Sequence, residues 1–345
     1  MTRDGMAGTD GEPNPAVPRS SDDGLVSLFF PIMPGRPEYV VSFAELVQNS
    51  RLTRLWMGQS LTLDTYQLFA YLAGRGIRIP LGTAVTVMPL RHPYEAAMQA
   101  RSVAALMGRP VTVGFGPGDA AFTASLRGSA YDRPLTASRE YLSMVRELLD
   151  GRTVRRDGSY HVLHSRLPVI PDGHPAVEVG AGVLRAGMAR AVGELADAAI
   201  SWLTPLPYLR DTILPAMREG ARSQDRTVPR LVSLVHFAVD RPGRDPQDLV
   251  LAATEGHLSS AHYTAMLRSA GLAADPSDPA AGAKAVVEAG LFVTGSAAEI
   301  AESITQYLSS GVDEVVLAPS GVLMRYGMEA ALEDVRSVVT ELGYR

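Results

Sequence analysis

Residues 77–119 read IRIPLGTAVTVMPLRHPYEAAMQARSVAALMGRPVTVGFGPGD. The apolar run at 77–87 predicts a buried strand, and Pro93 then opens an amphipathic helix at its first turn, where a missing N–H costs nothing. A second apolar run begins at Val111 and ends in a Gly-Pro-Gly loop. Strand, helix and strand in this order predict one parallel β-α-β unit. In such folds the loops after the strands bind ligands, so this segment also indicates where the functional site lies.

The same alternation continues on both sides of this unit. Eight apolar runs predict strands, and helical patterns follow nearly all of them. This count predicts an α/β fold, a (β/α)8 TIM barrel with insertions, whose usual size is about 250 residues. The alternative is a doubly wound open sheet, which normally carries a GxGxxG turn after its first strand; residues 30–35, FPIMPG, are not that turn. The predicted strands are 25–30, 52–57, 77–87, 111–114, 176–179, 198–202, 230–239 and 313–318.

Three segments lie outside the β/α alternation. Residues 1–24 are polar, acidic and rich in Gly and Pro, which predicts a disordered tail without the apolar centre of a secretory signal. The single barrel domain is then 25–345. Residues 153–163 predict a hairpin whose two-residue turn is Asp157-Gly158. Residues 120–134 are interpreted as a loop.

Composition excludes several classes of function. With 46% hydrophobic residues the 345-residue chain can bury a large core, and its net charge of −5 argues against a nucleic-acid partner. No apolar run approaches the ~20 residues of a membrane helix. The absence of cysteine excludes disulfides, thiolate nucleophiles and iron–sulfur clusters and favours a cytoplasmic location. The histidine pairs 161/164 and 257/262 lack carboxylates at ligand spacing, so no metal site is predicted.

Five segments of the chain stand out as a set, namely LGTAVTVMPLRHPYEAAMQA (81–100), GRPVTVGFGPG (108–118), YLSMVRELLDGRTVRRDGSYHV (141–162), RAVGELADAAISW (190–202) and VTGSAAEIAESITQYLSSGVDEVVLAP (293–319). Together they resemble the bacterial luciferase-like monooxygenase superfamily, whose members are (β/α)8 barrels that use FMN or the deazaflavin coenzyme F420. The segment PRLVSLVHFAVD at 229–240, followed by HLSSAHYTAMLRSAGL at 257–272, is most similar to actinobacterial members that use F420. The resemblance therefore implies F420, with FMN as the alternative.

The resemblance implies a cofactor site at four places. The third strand of the family carries a bulge, often with a non-prolyl cis peptide, that supports one face of the flat ring, and a glycine loop after strand four forms a second wall. The helix after strand five holds the cofactor phosphate; this chain has Arg185-Ala186 where relatives often have Gly-Pro. An ordinary bulge, a plain turn and a core tryptophan are the alternative interpretations. The matching residues are Thr83, Ala84 and Val85 for the bulge, Gly116, Pro117 and Gly118 for the loop, Arg185, Ala186, Gly187 and Met188 for the phosphate, and Trp56 and Gln59 near the ring.

Three residues are candidates for acid–base chemistry. Asp119 follows the glycine loop, where several relatives carry an acid or a histidine; it could move a proton, or it could only cap the next helix. His92 precedes Pro93 and is expected in the turn. His236 lies inside a mostly apolar strand and could equally be a core histidine.

These features predict an oxidoreductase in which reduced F420 delivers hydride to an unsaturated C=C or C=N bond of a small molecule of secondary metabolism, or to a dehydroamino acid in a modified peptide. One alternative is an FMN monooxygenase that uses O₂ and a partner flavin reductase. Another is a partner subunit without catalytic activity. The resemblance also implies a possible homodimer.

Overall fold

The computed structural model describes residues 24–344, so the predicted tail at 1–23 lies outside the described residues. Eight parallel strands form a closed barrel, because the last strand in the sheet order also pairs with the seventh barrel strand in the chain. The predicted (β/α)8 barrel is therefore confirmed. The barrel strands are β1 (Leu25–Phe30), β2 (Leu55–Met57), β3 (Leu81–Val87), β4 (Val111–Gly116), β7 (Val177–Gly182), β8 (Ala198–Trp202), β9 (Arg230–Val239) and β11 (Glu314–Ala318).

Within the described residues, three further strands lie outside the barrel. β5 and β6 form an antiparallel hairpin, and β10 extends the sheet by pairing with the last four residues of β9. Sequence analysis missed β10. The bounds are Val154–Asp157 for β5, Val162–Ser165 for β6 and Phe292–Gly295 for β10.

Helices surround the barrel, and several begin at a side chain that accepts backbone N–H bonds. Asp64, Asp245, Asp278 and Ser296 each cap a helix in this way. The helices are α1 (Val41–Gln48), α2 (Thr65–Gly74), α3 (Pro93–Met107), α4 (Ala120–Arg127), α5 (Pro134–Leu149), α6 (Ala186–Leu195), α7 (Leu206–Tyr208), α8 (Leu214–Ser223), α9 (Pro246–Leu258), α10 (Ala261–Ser269), α11 (Pro279–Glu288), α12 (Ala297–Ser309) and α13 (Ser320–Glu341).

Several sequence boundaries were wrong. The third strand starts at Leu81 rather than at Ile77, because Ile77 N–H donates to Leu72 O at the end of α2 and Pro80 has no N–H to give to a sheet. The second strand starts at Leu55 and not at 52. The fifth barrel strand continues to Gly182, beyond the predicted end at 179, since its alternating glycines lower strand propensity without preventing pairing.

The hairpin exists, but its predicted two-residue turn is wrong. Asp157 pairs with Val162, which leaves a four-residue loop closed by the hydrogen bond from Gly158 N to His161 O at 2.9 Å. The carboxylate of Glu140, on α5, accepts hydrogen bonds from two N–H groups of this loop. A tertiary contact therefore selects the turn. The segment interpreted as a loop at 120–134 contains the helix α4.

The amino end of the barrel interior is filled by an ionic network. Glu314, fully buried on β11, accepts hydrogen bonds from Ser27 Oγ at 2.6 Å and Trp56 Nε1 at 2.7 Å. Its carboxylate also pairs with Arg54 and Arg230. Burial alone would raise the pKa of Glu314, but the two guanidinium groups outweigh it and hold the pKa below its usual value. The carboxylate is therefore ionised in the folded barrel.

No helix within residues 24–344 combines the length and the apolar character needed to span a bilayer.

Candidate functional site

The third strand carries a bulge at the carboxyl end of the barrel, which we call the mouth. Between Thr83 and Thr86 the chain advances three residues while β4 advances two. The peptide bond between Ala84 and Val85 is cis, as the family resemblance implies. The hydroxyl of Thr83 donates to Gly114 O at 3.0 Å and accepts from Gly114 N at 2.8 Å. The bulge is therefore anchored to the neighbouring strand.

Gln59 holds the other side of the bulge. Its backbone N–H donates to Val85 O at 3.1 Å, and its side-chain Oε1 accepts from Val87 N at 3.3 Å. The guanidinium of Arg91 lies 3.5 Å from the same Oε1. Gln59 therefore bridges the bulge from end to end and fixes its position.

Because the residues next to Val85 on β4 and β7 are glycines, they carry no side chains that project above the surface around it; we call this the low surface. A Cβ at Gly116 would lie 2.9 Å from Val85 Cγ2, too close for a side chain without movement. A Cβ at Gly182, on β7, would make ordinary contacts of 3.5 and 3.6 Å with the same valine. Gly118 has φ +79°, a backbone conformation that favours glycine, and the chain turns there. The carbonyl oxygen of Pro117 accepts a hydrogen bond from Thr123 Oγ1 at 3.0 Å. The result is a shallow surface on which a flat ring can rest.

Trp56 lies beneath this surface. It is fully buried inside the barrel, its Nε1 donates to Glu314, and a Cβ at Gly82 would lie 2.3 Å from its ring. Glycine at position 82 is therefore required to admit the indole. The tryptophan supports the floor of the mouth from below and presents no exposed surface there.

Asp119 is the N-cap of α4. Its Oδ1 accepts from Ala121 N at 2.8 Å and from Phe122 N at 3.3 Å, so the helix-cap function is present. The carboxylate also acts on His262, at the start of α10, whose pKa is lowered first by burial, with Asp119 opposing that effect. Asp119 and His262 thus lie close enough to interact across the rim.

The helix α6 begins at the rim without a side-chain cap. Arg185 is its N-cap residue in extended conformation and makes no capping bond; its Nη2 donates to His262 O at 3.4 Å. Ala186 and Gly187 are exposed in the first turn, and Met188 is half-buried. The first-turn N–H groups are available to an anion.

His92 forms its hydrogen bonds with α3 and with the hairpin. Its Nδ1 accepts from Tyr94 N at 3.2 Å at the start of α3, and its Nε2 is 3.1 Å from Val162 O in the hairpin. The first bond makes Nε2 the protonated nitrogen, so the second is a donated hydrogen bond. Both ring nitrogens are therefore engaged in joining α3 to the hairpin.

The side of the mouth opposite the bulge is formed by aromatic rings. Trp202, at the end of β8, contacts Phe29, His236 and His257 with ring centroids 5.3, 4.7 and 5.1 Å away. His257 in turn contacts Tyr263 at 4.8 Å. These five residues are called the aromatic wall below. His257 and Tyr263 belong to α9 and α10, so the insertion after β9 covers this side of the mouth.

The aromatic wall contains buried polar atoms without partners in the described residues. They are Trp202 Nε1 and both ring nitrogens of His236, a residue that is only 1% exposed. Burial lowers the pKa of His236 to about 3 and that of His257 to about 4. Both imidazoles are therefore neutral at physiological pH.

This burial predicts an acid-dependent loss of stability. Because the folded pKa of His236 lies below the unfolded value near 6.5, its contribution is complete above pH 6.5 and is lost as pH falls towards 3. Over that range each pH unit should lower the free energy of unfolding by about 1.4 kcal/mol for this one group. The free energy of unfolding, measured with urea at pH 4.5, 5.5 and 6.5, should fall less steeply with decreasing pH in His236→Gln than in the wild type. The difference should correspond to one proton fewer taken up on unfolding. An identical slope in the variant would contradict the neutral, buried imidazole.

Two open clefts lie elsewhere, at the amino end of the barrel. One of about 410 Å³ is lined by residues that include Arg78 and Arg109, and one of about 450 Å³ by side chains of both charges, including Arg146 and Asp150. Neither approaches the mouth, where the bulge, the start of α6 and the aromatic wall converge. The candidate functional site at the mouth therefore rests on residue chemistry and not on cleft size.

Sequence analysis missed four residues of the mouth. Gly182 carried a usable signal, since Gly180 and Gly182 alternate with apolar residues along one strand. Phe29, His257 and Tyr263 carried none, because their proximity to Trp202 arises only when strands and insertion helices meet.

Comparisons with known proteins identify the family of the chain and other proteins with the same fold. A family model described as "Luciferase-like monooxygenase" matches residues 19–314. An F420-dependent glucose-6-phosphate dehydrogenase of Beutenbergia cavernae is 31% identical over 168 residues, covering 47% of this chain and 49% of that protein. A 5,10-methylenetetrahydromethanopterin reductase of Methanolobus tindarius is 30% identical over 125 residues, covering 34% and 36%. The chain thus spans half or less of the length of these two curated relatives.

Solved structures share the whole fold at low identity. The coenzyme F420 dependent tetrahydromethanopterin reductase of Methanopyrus kandleri has a TM-score of 0.67 at 18% identity, covering 92% of this chain and 99% of that one. The EDTA monooxygenase of Chelativorans sp. BNC1 also has a TM-score of 0.67, at 16% identity, covering 93% of each chain. At this identity the likeness shows the barrel and not the activity.

Proposed function

Since the chain belongs to the luciferase-like monooxygenase family, we propose that it is a coenzyme F420-dependent oxidoreductase that reduces an unsaturated C=C or C=N bond. The observation that carries this proposal is the low surface around Val85, bounded by Gly116 and Gly182 and anchored by Gln59 and Thr83. A flat ring can lie there with one face supported and the other turned to the aromatic wall. The Beutenbergia cavernae relative named above is an F420-dependent dehydrogenase, which supports F420 over FMN.

The residues present fit this cofactor in two respects. The surface around Val85 would support its ring at Ala84 and Val85, with Gly116, Pro117 and Gly118 forming the adjoining wall. The first turn of α6, with Arg185, Ala186, Gly187 and Met188, would hold its phosphate, because its N–H groups and the helix dipole favour an anion. When bound, reduced F420 supplies the hydride.

The side chains of the protein would position the cofactor, bind the substrate and move a proton. Gln59 and Thr83 fix the bulge, and Trp56 supports it from inside the barrel. His236 has a free N–H that can donate a hydrogen bond to substrate. Asp119, at the rim and within electrostatic range of His262, can pass a proton between solvent and the mouth. Both ring nitrogens of His92 form hydrogen bonds within the protein, so His92 contributes indirectly, by joining α3 to the hairpin.

Cofactor titration tests the proposal. Oxidised F420 should bind the purified protein with a micromolar dissociation constant, followed by its absorbance change, and FMN should bind at least 100-fold more weakly. Micromolar FMN with no F420 binding would instead support the monooxygenase, which turnover with O₂ and a flavin reductase would then establish. Binding of neither cofactor would support the partner subunit without catalytic activity.

Three finer features belong to the same proposal. A dehydroamino acid in a modified peptide is one substrate that fits a reductase of C=C bonds. A homodimer is expected from the family resemblance, and its mass in light scattering tests it. A cytoplasmic location follows from the proposed use of a reduced cofactor and the lack of cysteine.

A further inference from the structure

We propose that the aromatic wall is a subsite for an uncharged, flat substrate whose carbonyl oxygen accepts a hydrogen bond from Trp202 Nε1–H. The inference rests on the proposed function and names its substrate class: a C=C bond conjugated to a carbonyl group. Three properties of the wall carry it, namely its shape, its unpaired donors and its lack of charge.

The shape of the wall suits a planar, conjugated molecule. Three rings contact Trp202 directly, from β1, β9 and α9, and a fourth ring, from α10, contacts His257. The His257 ring lies at 31° to the indole, while the Phe29 and His236 rings meet it edge-on at 70° and 85°. Below them Ile200 and Leu234 continue the apolar interior. Flat π-systems pack well against such edges and faces.

The unpaired donors specify what the ligand must offer. The indole Nε1–H can only donate, so its natural partner is an acceptor oxygen or nitrogen. An unsatisfied buried donor costs about 1–3 kcal/mol, and a ligand acceptor removes that cost. The neutral imidazole of His236 offers one further donor and one acceptor within ring contact of the same indole. A carbonyl oxygen, with two lone pairs, can accept from both residues.

The wall carries no charge at neutral pH. Its two histidines are neutral because burial disfavours the imidazolium, and its other members are Phe29, Trp202 and Tyr263. Among the charged groups at the mouth, Asp119 and Arg185 lie at the exposed rim, and Arg91 lies beside Gln59 at the bulge, where it pairs with Asp64. A phosphate ester or carboxylate pressed against the wall would lose its hydration without gaining a counter-charge. The portion of substrate at the wall is therefore uncharged.

These contacts assign roles in a balanced reduction. Hydride supplied to the β-carbon would move the C=C electron pair into a new double bond between the α-carbon and the carbonyl carbon, and the C=O π pair onto the oxygen as an enolate. The α-carbon would then take a proton from water as the carbonyl re-forms, and the proton that the reduced cofactor releases on oxidation would neutralise the hydroxide left behind. The products are the saturated carbonyl compound and the oxidised cofactor. Trp202 and His236 stabilise the oxygen while it carries negative charge, which is where a preorganised donor has its largest effect.

Binding to the protein without cofactor tests the subsite separately from the proposed function. Isothermal titration calorimetry would compare 4-phenyl-3-buten-2-one, which is flat, uncharged and conjugated, with β-methylstyrene, which lacks the carbonyl, and with cinnamate and glucose 6-phosphate, which are charged. The ketone should bind at least tenfold more tightly than each of the other three. Equal binding of β-methylstyrene, or tighter binding of either anion, would overturn the proposal.

A matched pair of variants locates the donor. Trp202→Phe retains a ring but loses the N–H, and should weaken the ketone about tenfold while changing β-methylstyrene less than twofold. Trp56→Phe makes the same change in the other of the two tryptophans, whose N–H already donates to Glu314. It should leave the ratio of ketone to hydrocarbon affinity unchanged. Circular dichroism verifies folding, and an unchanged ratio in Trp202→Phe would refute the assigned hydrogen bond.

The outcome of the cofactor titration and the outcome of this binding assay are independent of each other. If F420 does not bind but the ketone retains its preference and its dependence on Trp202, the subsite stands and the proposed cofactor does not. If F420 binds and the ketone shows no preference, the proposed function stands and the substrate class does not.

Discussion

Gly182→Phe is expected to weaken F420 binding at least 100-fold while leaving the barrel folded. Gly182 ends β7 beside Val85, and a Cβ built there makes contacts of only 3.5 and 3.6 Å, so the backbone itself tolerates a side chain. A phenyl ring extending from that Cβ would occupy the low surface on which the flat cofactor is proposed to rest. The expected loss of affinity is large because the phenyl group would displace the whole cofactor ring and would not remove only one contact. Absorbance titration with oxidised F420 measures it.

Gly182→Ala provides the matched control. Its methyl group fits the space that the structure leaves, so its dissociation constant should stay within about threefold of the wild-type value, a difference below 1 kcal/mol. Thermal midpoints of both variants show whether each is folded. A folded Gly182→Phe that binds F420 normally would show that the cofactor does not lie against Val85.

Glu314→Gln is expected to cost about 3–5 kcal/mol of unfolding free energy, the range for breaking a buried ion pair. The carboxylate is fully buried and serves Arg54 and Arg230 at once, besides accepting from Ser27 and Trp56. An amide of the same shape leaves the buried guanidinium of Arg54 and the partly buried guanidinium of Arg230 short of negative charge. Because Trp56 contacts this residue, the loss should also loosen the floor of the mouth. Urea unfolding monitored by circular dichroism measures the change.

An exposed acid serves as the comparison. Glu329 on α13 lies 3.2 Å from Arg336, and its side chain is 85% exposed. Water screens that pair, so Glu329→Gln should leave the unfolding free energy within experimental error. Equal effects of the two substitutions would mean that the network at the amino end of the barrel does not hold the fold together.

Local patterns were sufficient to predict the barrel. Apolar runs and helix caps such as Asp64 and Asp119 act over a few residues, so the sequence reports them directly. The bulge at Thr83, Ala84 and Val85 was expected from the family resemblance, and the structure has a bulge between Thr83 and Thr86. The hairpin turn was not predictable in the same way, since Glu140, on another helix, selects it.

The sequence by itself determined the alternation of strands and helices, and hence which loops reach the mouth, because periodicity and capping are properties of neighbouring residues. Only the tertiary structure decided that Trp56 points down to Glu314 while Trp202 stands at the rim among Phe29 and two histidines. The physical reason is closure of the barrel. Strand register sets which side chains point inward and at what height, and residues distant in the chain then meet across the interior.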